Sequence, residues 1–332
     1  MNMQVSIDAN VTEQSLGELF GLPIPEEVTV GVLPPSSLTP ARIDDFVFRM
    51  EQVKLLTAFF CSPTPPLGGL FVHGPFGSGK TSVVEQFCAR LGLSLISCDW
   101  NFESEVEDLI GTRDIAFGDT TFTPGPLVEA MRNGHVLLIN EIDRGRPSNL
   151  TGLHGILDGA PLTIKATNEV IRAHPDFRLI VTANSAGSGD RGGQYTGSVR
   201  KQDPAFLDRF AFLECVYMDE AEEVDLLMRK FPAFEGQLVQ KLVEFAGETR
   251  AKASDVAAEL AIPLSTRTLL RFLWLAESYG ISGITYSDQS LDTLRPALEP
   301  TYLFRLDDVE RAVAEKILDS MMPNHVSLSP SL

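Results

Sequence analysis

The chain has 332 residues, of which 44% are hydrophobic and 22% charged, a balance that fits a folded protein and excludes an intrinsically disordered one. Its formal net charge is -18 and its pI is near 4.7. Acidity on this scale argues against general nucleic-acid binding, which calls for basic surface.

At this length the chain can hold one large core with a smaller companion, or two comparable domains. The opening stretch MNMQVSIDANVTEQ has two acidic residues and neither a basic cluster nor an apolar core, so no signal peptide is expected. No uninterrupted run reaches the ~18 apolar residues that would span a bilayer. A cytoplasmic protein without membrane association is the expectation. Cys61, Cys88, Cys98 and Cys215 are scattered and mostly flanked by apolar residues, which suits buried thiols in a reduced compartment.

Residues 1–44, rich in Pro, Ser and short polar stretches, form an N-terminal extension in this reading. FVFRMEQVKLLTAFF, 46–60, has helical apolar spacing, and SPTPPLGG, 62–69, ends it. The strand GLFVHG then runs into a glycine-rich turn and the helix TSVVEQFCARL. SLISC (94–98), HVLLIN (135–140) and FRLIVTAN (177–184) give three further apolar strands, and AFLECVYM a strand-like run. Apolar strands separated by helical stretches predict a parallel sheet covered on both faces. From about 218 the pattern becomes helical: EEVDLLMRKF, LVQKLVEFAGETR, TRTLLRFLWLAESYG and DDVERAVAEKIL, with Ser265 placed to cap the third. The expected organisation is therefore an extension (1–44), an α/β nucleotide-binding domain (45–217) and a helical domain (218–332) that ends in a loose tail.

GPFGSGKT is the GxxxxGK[ST] phosphate loop, set between a strand and a helix as that motif requires. Gly74, Pro75, Phe76, Gly77, Ser78 and Gly79 curl the backbone so that its amides converge on phosphate. The new helix, through Lys80, Thr81 and Ser82, adds its positive end. Lys80 is placed for the outer phosphates of ATP, and the Thr81 hydroxyl for Mg2+. The strand HVLLIN should deliver an aspartate to the magnesium shell and a glutamate to the attacking water; it delivers Asn140 and Glu141. Asn140 keeps an acceptor oxygen without the charge, which weakens its support of Mg2+, and Glu141 keeps the carboxylate that activates water. Slow hydrolysis is the expectation. Asp143 either supplies the missing charge or faces solvent. Asn184, ending its strand, is placed to hold the lytic water or terminal phosphate. Arg209, in PAFLDRF, is either a finger reaching a neighbouring subunit's phosphate or half of a surface ion pair. Arg267, opening a helix of the second domain, is placed to tie that lid to the phosphate.

GPFGSGKT, LLINEIDRGRP, IRAHPDFRLIVTANSAGSGDRGGQYTGSVR, PAFLDRF and LSTRT, in this order, resemble the MoxR group of AAA+ ATPases, and within it the ATPase subunit of aerobic cobaltochelatase and its relatives. The resemblance spans about 45–280 and implies an AAA+ P-loop NTPase core with a C-terminal helical lid. It makes Lys80 and Thr81 the Walker A residues, Glu141 the Walker B glutamate, Asn184 sensor 1, Arg209 the arginine finger and Arg267 sensor 2, and it puts Arg144 at a subunit interface. Residues 111–125 become a helix-2 insert and 160–177 the hairpin before sensor 1, with Phe117 and Phe122 either partner or pore contacts or packing for the loop itself. A homo-oligomeric ring, commonly a hexamer, and a partner with a von Willebrand factor A domain are implied as well. These features favour an ATP-driven motor or chaperone acting on a protein partner. A cobaltochelatase subunit, a nucleotide-gated scaffold with little hydrolysis and a nucleic-acid motor stand as alternatives. Residues 1–44 either recruit the partner, support the ring or stay disordered.

Overall fold

The computed structural model describes residues 11–62, 68–116, 119–190, 198–254, 259–281, 283 and 290–321. These residues divide into two compact units: residues 11–62, 68–74, 79–116, 119–190 and 198–215 belong to the first, and residues 75–78 join those from 216 onward in the second.

The first unit begins with an antiparallel pair, β1 (Thr12–Ser15) and β2 (Thr29–Val32), bridged by the short helix α1 (Leu16–Phe20). Leu16, Leu19, Phe20 and Val30 are buried in one of the unit's two apolar clusters. Helix α2 (Met50–Cys61) starts four residues later than the apolar spacing predicts, because Phe48 is buried ahead of it and the Gln52 side chain caps the Arg49 amide at 3.1 Å. The chain continues through β3 (Gly69–His73), α3 (Lys80–Leu91), β4 (Leu95–Asp99) and α4 (Val106–Ile110). A hairpin of β5 (Gly111–Ala116) and β6 (Asp119–Pro124) leads to α5 (Pro126–Asn133) and β7 (Val136–Asn140). Then follow α6 (His154–Leu157), the hairpin of β8 (Leu162–Ile164) and β9 (Glu169–Ile171), β10 (Arg178–Ala183), α7 (Pro204–Leu207) and β11 (Phe210–Glu214). The two hairpins fall in the segments the sequence marks as inserts.

Five strands make one parallel sheet in the order β11-β3-β10-β7-β4. Because side chains alternate across a strand, each strand feeds two cores. Leu70, Val72, Val136, Leu138 and Ile180 enter one cluster, while Phe71, Leu137, Ile139, Leu179 and Val181 enter the other. That is why these strands are continuous apolar runs rather than alternating ones. Their parallel registers bring His73, Asp99, Asn140 and Ala183 to one edge, where strands of such sheets present ligand-binding groups.

The second unit contains α8 (Glu220–Lys230), α9 (Gly236–Ser254), α10 (Thr266–Ser278), α11 (Ser290–Thr301) and α12 (Asp308–Met321). They share a core that includes Leu227, Phe245, Phe272, Leu298 and Tyr302. Ser265 caps α10 by accepting from the Thr268 amide at 3.3 Å, as expected. Inside this unit Arg250 grips the buried Glu223 with two bonds of 2.7 and 2.8 Å. No helix among the described residues is long and apolar enough to cross a membrane.

Candidate functional site

The glycine loop leaves β3 and enters α3 at Lys80. Gly77 and Gly79 have φ of +75° and +87°, a conformation that side chains with a Cβ rarely adopt and that turns successive amides toward one point. Thr81 and Ser82 lie in the first turn of α3, where the helix contributes its positive end. The Lys80 ammonium donates to the Gly74 carbonyl at 2.8 Å and to Asn184 Oδ1 at 3.1 Å. Lysine and strand-ending asparagine, 104 residues apart in sequence, therefore meet directly.

Asn140 is fully engaged. Its Oδ1 accepts from the Thr81 hydroxyl at 3.0 Å and from the buried Thr182 hydroxyl at 3.3 Å. Its Nδ2 donates to Ser97 Oγ at 3.0 Å and to Asp99 Oδ1 at 3.1 Å. Thr81 thus donates its hydrogen bond to Asn140 and keeps its oxygen lone pairs for a cation. Glu141, next along, has φ +56°, and its amide donates to Thr182 Oγ1 at 3.1 Å. Its carboxylate is half-exposed and ion-paired with Arg144 at 2.8 Å.

Asp143 does not face solvent. It is fully buried, and its Oδ2 accepts from the backbone amides of Asn184 at 2.7 Å and Ser185 at 3.3 Å. Asp143 therefore fixes the turn that presents Asn184. Burial pushes its carboxyl above the ordinary aspartate value, against the pull of those amides.

Arg209 forms a two-pronged pair with Asp158 of its own chain, both bonds 2.9 Å, and also donates to the Ala205 carbonyl. Its partner is thus Asp158, not the adjacent Asp208. Arg267 is exposed in the first turn of α10 in the helical unit. Phe122 packs, half-buried, against the core cluster that contains Trp100 and Phe71, which favours loop packing over partner contact. Phe117 lies outside the described residues. Burial raises the thiols of Cys61, Cys98 and Cys215 to about 11, and that of Cys88 further still.

Sequence reading missed Ser97, Asp99 and Thr182. The signal for Asp99 was present: it directly follows the apolar run SLISC, so in a parallel sheet it belongs at the ligand edge. Which strand lies beside it is decided by sheet order.

The donor set fits a nucleoside triphosphate with magnesium. Converging amides and the Lys80 ammonium suit the phosphates, and the Thr81 oxygen, its proton turned toward Asn140, suits the metal.

Strand order, glycine loop and strand-end pair together define a P-loop ATPase of the AAA+ class. The AAA domain family of the dynein-related subfamily matches residues 69–210. The fold is similar to that of a RuvB mutant from Thermotoga maritima, with a TM-score of 0.51 at 16% identity, covering 82% of this chain and 76% of that one. In sequence the chain is 30% identical over 281 residues to the aerobic cobaltochelatase subunit CobS of Sinorhizobium sp., covering 81% of this chain and 78% of that subunit. It is 28% identical over 200 residues to an uncharacterized protein of Staphylococcus haemolyticus, covering 58% and 73% respectively. The chain belongs to the CobS-like, MoxR-type AAA+ ATPases.

Proposed function

We propose that this chain binds ATP with magnesium, hydrolyses it slowly, and works as a ring, commonly a hexamer, that remodels or activates a protein partner. The observation that carries the proposal is the set of contacts at the sheet edge: Lys80 on Asn184, and Thr81 on Asn140 beside Glu141. In this reading the loop from Gly74 to Gly79 cradles the phosphates and Lys80 neutralises their charge. Asn140 orients Thr81 toward the metal, and Asn184 holds the terminal phosphate or the water. Bound magnesium would supply charge neutralisation on the phosphates. Glu141 takes the proton of the attacking water once its carboxylate turns away from Arg144. Arg209, exchanging Asp158 for a neighbour's phosphate, serves as the finger, and Arg267 ties the lid to the nucleotide. A partner with a von Willebrand factor A domain fits the MoxR resemblance. The likeness to a cobaltochelatase subunit supports, as a second reading, service in a metal-inserting complex.

Phosphate release by the purified protein, followed across protein concentrations, tests the first reading. Turnover per subunit should rise with concentration and be lost in Glu141→Gln while ATP still binds. Unchanged turnover in Glu141→Gln would remove that glutamate from the chemistry. Concentration-independent turnover would remove the shared site.

A further inference from the structure

The strand-end asparagine poses an electrostatic problem that the neighbouring strand resolves. An amide differs from a carboxylate in two ways: it lacks the negative charge, and it has two unlike ends. If its NH2 faced Thr81, a donor would point toward the cation, and the Thr81 oxygen would spend a lone pair accepting from it. The orientation of Asn140 is therefore as important as its identity.

Four groups surround that amide, and three of them, the hydroxyls of Thr81, Thr182 and Ser97, can donate or accept. Only Asp99 is restricted: an ionised carboxylate accepts and never donates. Asp99 stands directly opposite Asn140 in the β4–β7 register, 3.1 Å from Nδ2. As the one partner of the four that can only accept, it turns NH2 toward β4 and Oδ1 toward Thr81, in keeping with the Thr182 hydroxyl, which accepts from the Glu141 amide and donates to Oδ1. A hydrogen bond to a carboxylate is also stronger than a neutral one, and through the conjugated amide it shifts electron density onto Oδ1. The Thr81 hydroxyl then donates to a more basic oxygen and becomes the better metal ligand.

We infer that Asp99 is the anionic positioning residue of this site: it holds the Asn140 amide with its oxygen toward Thr81 and supplies, across the strand pair, the negative charge that Asn140 lacks. The inference rests on the nucleotide-binding reading and adds a residue to it. Asp99 needs no contact with the nucleotide to act. It also makes Asn140→Asp more than a simple restoration, because that change sets two carboxylates side by side, where like charges oppose joint ionisation.

Fluorescent mant-ATP titrations of the full chain, at graded Mg2+ and in EDTA, separate the metal-linked part of binding from the rest. Thermal melts of the same samples check folding. In Asp99→Ala the gain in affinity that Mg2+ confers should fall about 10- to 100-fold, the usual range for loss of a group that supports a metal ligand. Affinity in EDTA should stay near native. Asp99→Asn, which keeps an acceptor but not the charge, should lose less. The exchange Asp99→Asn with Asn140→Asp should recover most of the metal effect, because one carboxylate and one amide again share the site. A purely structural role for Asp99 predicts no such recovery. Native Mg2+ dependence in Asp99→Ala, or an exchanged double variant no better than Asp99→Asn, overturns the inference and leaves nucleotide binding standing. Failure of the native protein to bind mant-ATP in either condition overturns both.

Discussion

At the residue scale, the site works through short polar side chains held by neighbouring strands. Asn140 accepts two hydroxyl protons and donates two amide protons, so none of its bonding capacity is left open. Asp143 carries the clearest pH signature. Its folded pKa is raised, chiefly by burial, so between the ordinary aspartate value and the raised one the folded chain holds more protons than the unfolded chain. The Asp143 contribution to stability is therefore greatest at low pH and is lost as pH rises through that window. Compared by urea unfolding with Asp143→Asn, the native protein should lose relative stability as pH rises from the ordinary aspartate value through the raised one. A difference flat with pH would mean that this carboxyl titrates normally. Much of this level was legible in the sequence, since Lys80, Thr81, Asn140, Glu141 and Asn184 all lie at the ends of recognisable elements. The burial of Asp143 was not, because an acidic residue one turn past a strand looks alike whether it is packed or solvated.

At the element scale, residues 11–49, ahead of α2, are part of the fold. Phe20 stacks on Phe87 of α3 at 5.1 Å and meets Phe48 edge-on at 4.9 Å. The Leu33 amide donates to the Leu91 carbonyl at 2.9 Å, and Arg90 and Gln86 of α3 bind the backbone at Ile43 and Ala41. Gly92, in the left-handed region, leaves room for this docking, for a Cβ there would stand 1.9 Å from the Leu33 oxygen. Phe20→Ala should cost about 3–5 kcal/mol in chemical denaturation, as buried Phe truncations do. A loss below 1 kcal/mol would show that the segment docks only weakly. Composition misleads here because proline- and serine-rich stretches serve equally as tethers or as close-fitting connections. Helix α11 escaped the apolar pattern for a related reason. It contains Pro296 and Pro300, each of which removes a helical bond, yet Leu294, Ala297 and Leu298 bury one face in the helical core. Packing outweighs propensity in such a helix.

At the scale of the whole molecule, the proposed ring makes one demand that can be measured without knowing the client. If Arg209 completes a neighbour's site, it acts in a different subunit from the Glu141 it serves. Arg209→Ala alone should lower turnover by about 10³-fold or more, the scale on which such fingers act. Glu141→Gln alone should also be inactive. Mixing the two should restore part of the activity, because an Arg209→Ala subunit next to a Glu141→Gln subunit pairs an intact glutamate with an intact arginine. No recovery on mixing would place both groups in one subunit and leave Arg209 as the partner of Asp158.

The sequence alone determined the class. The phosphate loop, the strand-ending residues and the change to helical pattern near 218 are local signals, because glycine conformation, helix capping and apolar periodicity depend on residues close in the chain. It also identified the departure at Asn140. Tertiary structure alone decided which groups surround Asn140. The hydroxyl of Thr182 and the carboxylate of Asp99 lie 42 and 41 residues from Asn140 along the chain, on two different strands beside it. Their meeting depends on the order β10-β7-β4 and on register, set by which apolar faces bury together.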